Sequence, residues 1–289
     1  GDPDLAAESV VAMTFADRMA AWAENEPSVR ALILIGSQTR AASDQVWKAD
    51  AQSDWDFQII TSRVDLFEDA SWTAALGLKL HTYAVRRAAI GGVPKIAALF
   101  AGAEADFVIL PLAKLNPWRI AVARSEHHRS PVLQRQLQDL AVVVRPGWRF
   151  IKGAKTWEPL YQRAVAEIAD PRLDDAAVCG LADGFVCDAV WTARKVERGE
   201  WLAAQRMLHR SLAETNFRLL HELKLRRGER TFPEIRRGER VLSRREQQLV
   251  TVSAIPDARS LRAALKRSSA TCRKLMQALV GDAWSWPEL

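Results

Sequence analysis

The apolar positions of this chain change their period near residue 110. Before that point short runs dominate. Val29 to Ile35 (VRALILI) is almost wholly apolar and ends at Gly36, the pattern of a strand buried on both faces. Residues 55–61 (WDFQIIT), 78–85, 95–101 and 105–110 predict four more strands, the last closed by Pro111. Ahead of them, residues 5–23 place Val10, Val11, Met13, Phe15, Met19 and Trp22 at helical spacing, and Asn25-Glu26-Pro27 stops that helix. The polar stretch 38–53 reads as a loop or a short helix.

Beyond Pro111 a helical period takes over. It predicts helices over 157–168, 176–196, 200–225, 243–252 and 258–280, with a break at Arg198-Gly199 where glycine can follow a helix end. Only 141–145 (AVVVR) reads as a further strand. The expected fold class is therefore α+β: a mixed sheet with flanking helices over residues 1–145, then a helical domain over 146–289.

Composition narrows this picture little. The 289 residues are 48% hydrophobic and 26% charged, as in ordinary globular domains. The absence of a run of 18 uncharged apolar residues, and of a basic-then-apolar leader, predicts no membrane segment and a cytoplasmic location. Cys179, Cys187 and Cys272 are too few and too scattered for a disulfide framework or a four-ligand zinc site. The net charge of +6 is divided unevenly, with −6 over residues 1–110 and +12 over 111–289. A basic half draws anionic partners, although paired arginines such as Arg226-Arg227, Arg236-Arg237 and Arg244-Arg245 commonly lie on solvated helix faces. Trp191 and Trp201, at helical spacing, read as core, and His127-His128 as a solvated pair.

The chemistry is carried by an ordered set of residues in the first half. Strand side chains alternate faces, so Asp54 and Asp56 point the same way and together can ligate magnesium, while Trp55 and Phe57 face the other side. A third carboxylate, Asp106, stands beside the apolar run FVILP, where its charge is costly unless a cation or hydrogen bonds compensate. Gly36 allows close approach of backbone to a phosphate, and Ser37 offers a hydroxyl and an amide N–H. Arg40 is a nearby cation for the same phosphates, and Lys95 is a second basic residue that could touch them. Each piece alone is common; the combination in one chain order is not.

That combination resembles the DNA polymerase β-like nucleotidyltransferases, and more narrowly the aminoglycoside 6-adenylyltransferase (streptomycin adenylyltransferase) family. The matching segments are VRALILIGSQTR (29–40), SDWDFQIIT (53–61) and ADFVILPLAKL (105–115), with a looser likeness over 186–212 to the family's helical domain. The resemblance implies that Gly36 and Ser37 hold the triphosphate, that Asp54 and Asp56 ligate Mg2+, and that Asp106 completes the metal set and serves as base. It implies ATP as co-substrate and a small-molecule hydroxyl as acceptor, an aminoglycoside such as streptomycin among the choices. It also implies an acceptor-facing carboxylate on the helical domain, for which Asp183 and Asp188 are both open. The connection from Ser37 to Asp54 is longer than the family pattern. RNA or protein acceptors, or a toxin–antitoxin component gripping nucleic acid through its basic helices, stay open beside this reading.

Overall fold

The computed structural model describes residues 13–88 and 91–288, which divide into two compact units, one up to Pro171 and one from Arg172. The first unit holds six strands: β1 (Val29–Ile35), β2 (Trp55–Thr61), β3 (Leu80–Arg87), β4 (Pro94–Phe100), β5 (Ala103–Pro111) and β6 (Trp148–Lys152). Their order across the sheet is β3-β4-β5-β2-β1-β6. β2 and β5 run parallel, and every other neighbouring pair is antiparallel. A mixed sheet followed by a helical region is the α+β class.

Alternation along the central strands gives the sheet two apolar faces. Leu32, Leu34, Phe57, Ile59, Phe107 and Ile109 pack on one side against α1 (Phe15–Asn25) through Phe15, Met19 and Trp22. Thr14 caps α1 by accepting from the Asp17 N–H while the Asp17 carboxylate accepts from the Thr14 N–H, so the described helix starts there. The predicted start at residue 5, with Val10 and Val11, lies outside the described residues. On the opposite side Ala31, Ile33, Ile35, Ile60 and Leu110 meet α2 (Leu112–Ala123), α3 (Pro131–Val144) and α4 (Ala154–Glu167). Burying both faces is what makes β1 an unbroken apolar run.

The sequence pattern misplaces three features of this unit. Residues 141–145 form no strand; they are the end of α3 and the residue after it. Ser130 caps that helix, Pro131 opens it, and Leu137, Leu140, Ala141 and Val144 bury one helical face, so tertiary packing outweighs the β preference of three successive valines. The strand instead lies a few residues later, at β6, a sheet edge too short to show a clear period. The sequence pattern does not predict α2, which carries Pro117 in its interior, a residue that ordinarily breaks a helix. The expected division at 145/146 moves accordingly. β6 pairs with β1, α4 packs in the same core, and Arg145 Nε bonds Asp170 at 2.8 Å while its Nη1 donates to the Val165 carbonyl at 2.7 Å. Residues 146–171 thus belong with the sheet. His127 is buried rather than solvated, with Nε2 3.1 Å from Glu167 Oε2.

The described residues of the second unit are helical: α5 (Asp175–Glu197), α6 (Trp201–Met207), α7 (Ala213–Arg226), α8 (Gly238–Val241), α9 (Arg244–Val250) and α10 (Ala258–Val280). The predicted 200–225 helix is interrupted by a π-helical turn over Leu208–Leu212. α5 is long and apolar enough to cross a membrane by length and composition, which the expectation of no such segment overlooked. Here Val178, Ala182, Phe185, Ala189 and Val196 of α5 join Leu261, Cys272, Leu275 and Met276 of α10 in one core. Trp191 and Trp201 are not core; they are 40% and 41% exposed, and Lys195 lies over the Trp191 ring at 5.0 Å.

An ionic cluster holds the base of this unit. The Glu222 carboxylate, 3% exposed, accepts from Arg172 Nη2 at 2.8 Å, the Leu173 N–H at 3.1 Å and Arg226 Nε at 3.2 Å. Burial opposes its charge, but these bonds prevail and hold the carboxyl below the usual glutamate range. A carboxyl held low stabilises the fold above its unfolded pKa, and that contribution is lost as pH falls through the folded value. Glu222→Gln is expected to cost about 2 kcal/mol at neutral pH, and to flatten the loss of stability below about pH 4.5. Urea unfolding of both proteins between pH 7 and pH 3 checks this; parallel pH profiles would refute it.

Candidate active site

Strand register builds the site. In the parallel pair β2–β5, Asp56 lies directly beside Asp106, and on the other flank Ile35, the last residue of β1, lies opposite Asp56. Asp54 precedes β2 by one residue on the face that Asp56 shares. Ligand oxygens of Asp54, Asp56 and Asp106 all lie within 4.8 Å of one another, and all three residues are half-buried. Two residues further into the sheet the same face turns apolar, apart from Gln58. That side chain is fully buried, and its Oε1 accepts from the Tyr161 hydroxyl of α4 at 2.7 Å.

The chain leaves β1 in a tight 3-10 turn, Gly36–Thr39, held by Thr39 Oγ1 donating to the Gly36 carbonyl at 2.7 Å. Gly36 has φ +76°, and a Cβ placed on it would stand 2.3 Å from Asp56 Oδ2. Glycine is required twice over, for the left-handed backbone and for the room it leaves the carboxylate. Ser37 follows in the same turn, its carbonyl accepting from the Arg40 N–H. Gln38 Nε2 donates to the Asp54 carbonyl at 3.3 Å, which ties the turn to the start of β2. The structure thus brings Gly36 and the three aspartates together, with Ser37 next to Gly36 in the turn. The Arg40 guanidinium lies over the Trp47 ring at 5.6 Å, in the loop that follows.

Three carboxylates this close repel one another, and the electrostatics show it. Burial, and after it the neighbouring Asp106 charge, push the Asp54 carboxyl above its usual range, with Lys95 offsetting part of the effect. Lys95 Nζ stands 2.5 Å from Asp106 Oδ2. It comes from β4, where it lies opposite Val108 and diagonal to Asp106 on one face of the antiparallel pair. A lone lysine in a strand carries little signal in sequence; only the pairing of β4 with β5 makes it part of the site. An oxygen-only, three-carboxylate donor set beside a glycine cradle fits a hard divalent cation such as magnesium.

The other two predicted residues are on α5. Asp183 is exposed and accepts from Trp284 Nε1 at 2.9 Å, and Asp188 is half-buried. Five positions on a helix place them about 140° apart around its axis, so they do not share one face. Several basic residues of the second unit are neutralised within it: Arg172 and Arg226 by Glu222, Lys224 by Glu229 and Glu246, and Arg262 by Glu197.

No family model matches the chain, and no curated protein does. Among solved structures it is similar to an aminoglycoside 6-adenyltransferase from Bacillus subtilis, at 14% identity and TM-score 0.39, covering 95% of this chain and 94% of that one. It is also similar to a nucleotidyltransferase-like protein from Exiguobacterium sibiricum 255-15, at 12% identity and TM-score 0.31, covering 92% of this chain and 74% of that one. At these values neither likeness assigns an activity.

Gly36→Ala tests the cradle. The added methyl must displace the Asp56 carboxylate, so Mn2+ affinity is expected to fall at least roughly ten-fold, with a loss of about 1–2 kcal/mol in stability from the left-handed backbone. Titration calorimetry with Mn2+ and thermal unfolding check both; unchanged Mn2+ binding would remove Gly36 from the site.

Proposed function

We propose that this chain is a nucleotidyltransferase that moves a nucleoside monophosphate, AMP from ATP in the first instance, to a hydroxyl of a small-molecule acceptor, with release of pyrophosphate. One observation carries the reading: Asp54, Asp56 and Asp106 converge within 4.8 Å beside a glycine that leaves just enough room for the Asp56 carboxylate. Asp54, Asp56 and Asp106 are the residues that would hold magnesium. When bound, the ion supplies charge neutralisation at the attacking and leaving oxygens of an in-line phosphoryl displacement.

The chain's own groups take the remaining roles. The turn at Gly36 and Ser37 is assigned to the triphosphate through its backbone N–H groups and the Ser37 hydroxyl. Asp106, on the strand beside Asp56, is the assigned acceptor of the hydroxyl proton. Arg40 is assigned to the phosphates from the loop side. Recognition of the acceptor falls to Asp183 or Asp188 of α5, and their different faces mean one of the two, not both, meets a given group. A carboxylate there suits a cationic acceptor, and the sequence motifs of the first unit put an aminoglycoside such as streptomycin first.

Pyrophosphate release from ATP, GTP, CTP and UTP with magnesium, against a panel of aminoglycosides including streptomycin, tests this directly. Asp54→Asn and Asp56→Asn are expected to lower turnover by roughly 10²–10³ or more with unchanged circular dichroism. Full turnover in either variant would overturn the assignment, and triphosphate binding without release for any aminoglycoside would move the acceptor to another class.

A further inference from the structure

We propose that Lys95 is a displaceable counter-ion of the carboxylate cluster: it holds Asp106 while the cluster lacks a divalent cation, and turns its ammonium to the triphosphate when the cation arrives. The inference rests on the metal-site reading given above and goes beyond it by assigning a charge that changes partner within the site.

Three observations support it. Lys95 Nζ is 2.5 Å from Asp106 Oδ2, and Asp106 is one of the three carboxylates gathered there, so the ammonium and a cation would compete for the same carboxylate. Nothing else holds it: among the described residues Asp106 is the one partner of the Lys95 ammonium, and the side chain keeps 37% of its exposure. Finally, Arg86 of β3 lies directly opposite Lys95 in the antiparallel pair, so a like charge backs it and disfavours retreat toward the sheet edge.

The charges decide the direction of the exchange. Three aspartates carry −3 when ionised, and one lysine leaves −2, enough to attract a divalent cation strongly. Once that cation takes the Asp106 carboxylate it repels the Lys95 ammonium at short range, and the charge left to hold the lysine falls from −3 to −1. A four-carbon stem carrying a point charge can swing without moving the backbone. The nearest new anion is then the triphosphate that arrives with the metal. Lys95 would thus weaken binding of the bare metal and strengthen binding of the metal–nucleotide complex, favouring the productive ligand over the free ion.

The test is titration calorimetry with Mn2+ alone, then with Mn2+ and a non-hydrolysable ATP analogue, on the wild type, Lys95→Met, Lys95→Arg and Asp56→Asn. Lys95→Met is expected to bind Mn2+ alone roughly ten-fold more tightly than wild type, and the Mn2+–analogue complex several-fold more weakly. Lys95→Arg, which keeps the charge, should return both affinities toward wild type. Equal or weaker Mn2+ binding by Lys95→Met, with binding lost in Asp56→Asn, overturns the role of Lys95 and leaves the metal site standing. Wild-type Mn2+ binding by Asp56→Asn overturns the metal site itself.

Discussion

The parallel pairing of β2 with β5 is the constraint on which the candidate site depends. Parallel neighbours in register put side chains of the same face side by side, and here the paired residues are Asp56 and Asp106. A slip of one residue would turn one carboxylate to the opposite face, into the aromatic layer formed by Phe57, Phe107 and Phe15. The register is secured away from the site. Phe57 stacks beside Phe107 at 5.8 Å, Ile59 pairs with Ile109 and Ile60 with Leu110, and both faces are covered by helices. The hydrophobic core therefore keeps together charges that would separate if left free.

Holding like charges at this range raises the free energy of the resting site, and the surroundings partly offset it. Lys95 supplies one positive charge, half-burial leaves some access to water, and Gly36 leaves space in which the Asp56 carboxylate can lie. The residual negative charge favours a divalent cation over an empty site. The buried Gln58–Tyr161 hydrogen bond marks where this polar strip ends and the apolar core begins, one strand repeat below Asp56.

The second unit solves a different problem. Its net positive charge is distributed over ion pairs, several of them anchored on buried or nearly buried groups such as Glu222 and Lys224. A buried charge of either sign is tolerable only with partners, and these pairs cross between α7, its flanking segments and α9. Some of the charge that reads in sequence as basic surface is thus neutralised within the unit, while pairs such as Arg244-Arg245 stay exposed.

How much was legible before folding follows from the range of each interaction. Local patterning located five of the six strands to within a residue or two, five helical regions, and the break at Gly199, because periodicity and glycine conformation act over a few residues. Asp54, Asp56, Gly36 and Ser37 stood out because strand alternation and a strand-to-turn junction are local too, and Asp106 because a carboxylate beside an apolar run is conspicuous. The sequence misread 141–145 and missed β6 and α2, since there burial against distant elements outweighs local preference. Lys95 offers in sequence only the weak signal of a lone basic residue that could touch phosphates. It enters the site only because β4 pairs with β5, and which strands pair, in what register, is decided by the packing of the whole sheet between its two helical layers.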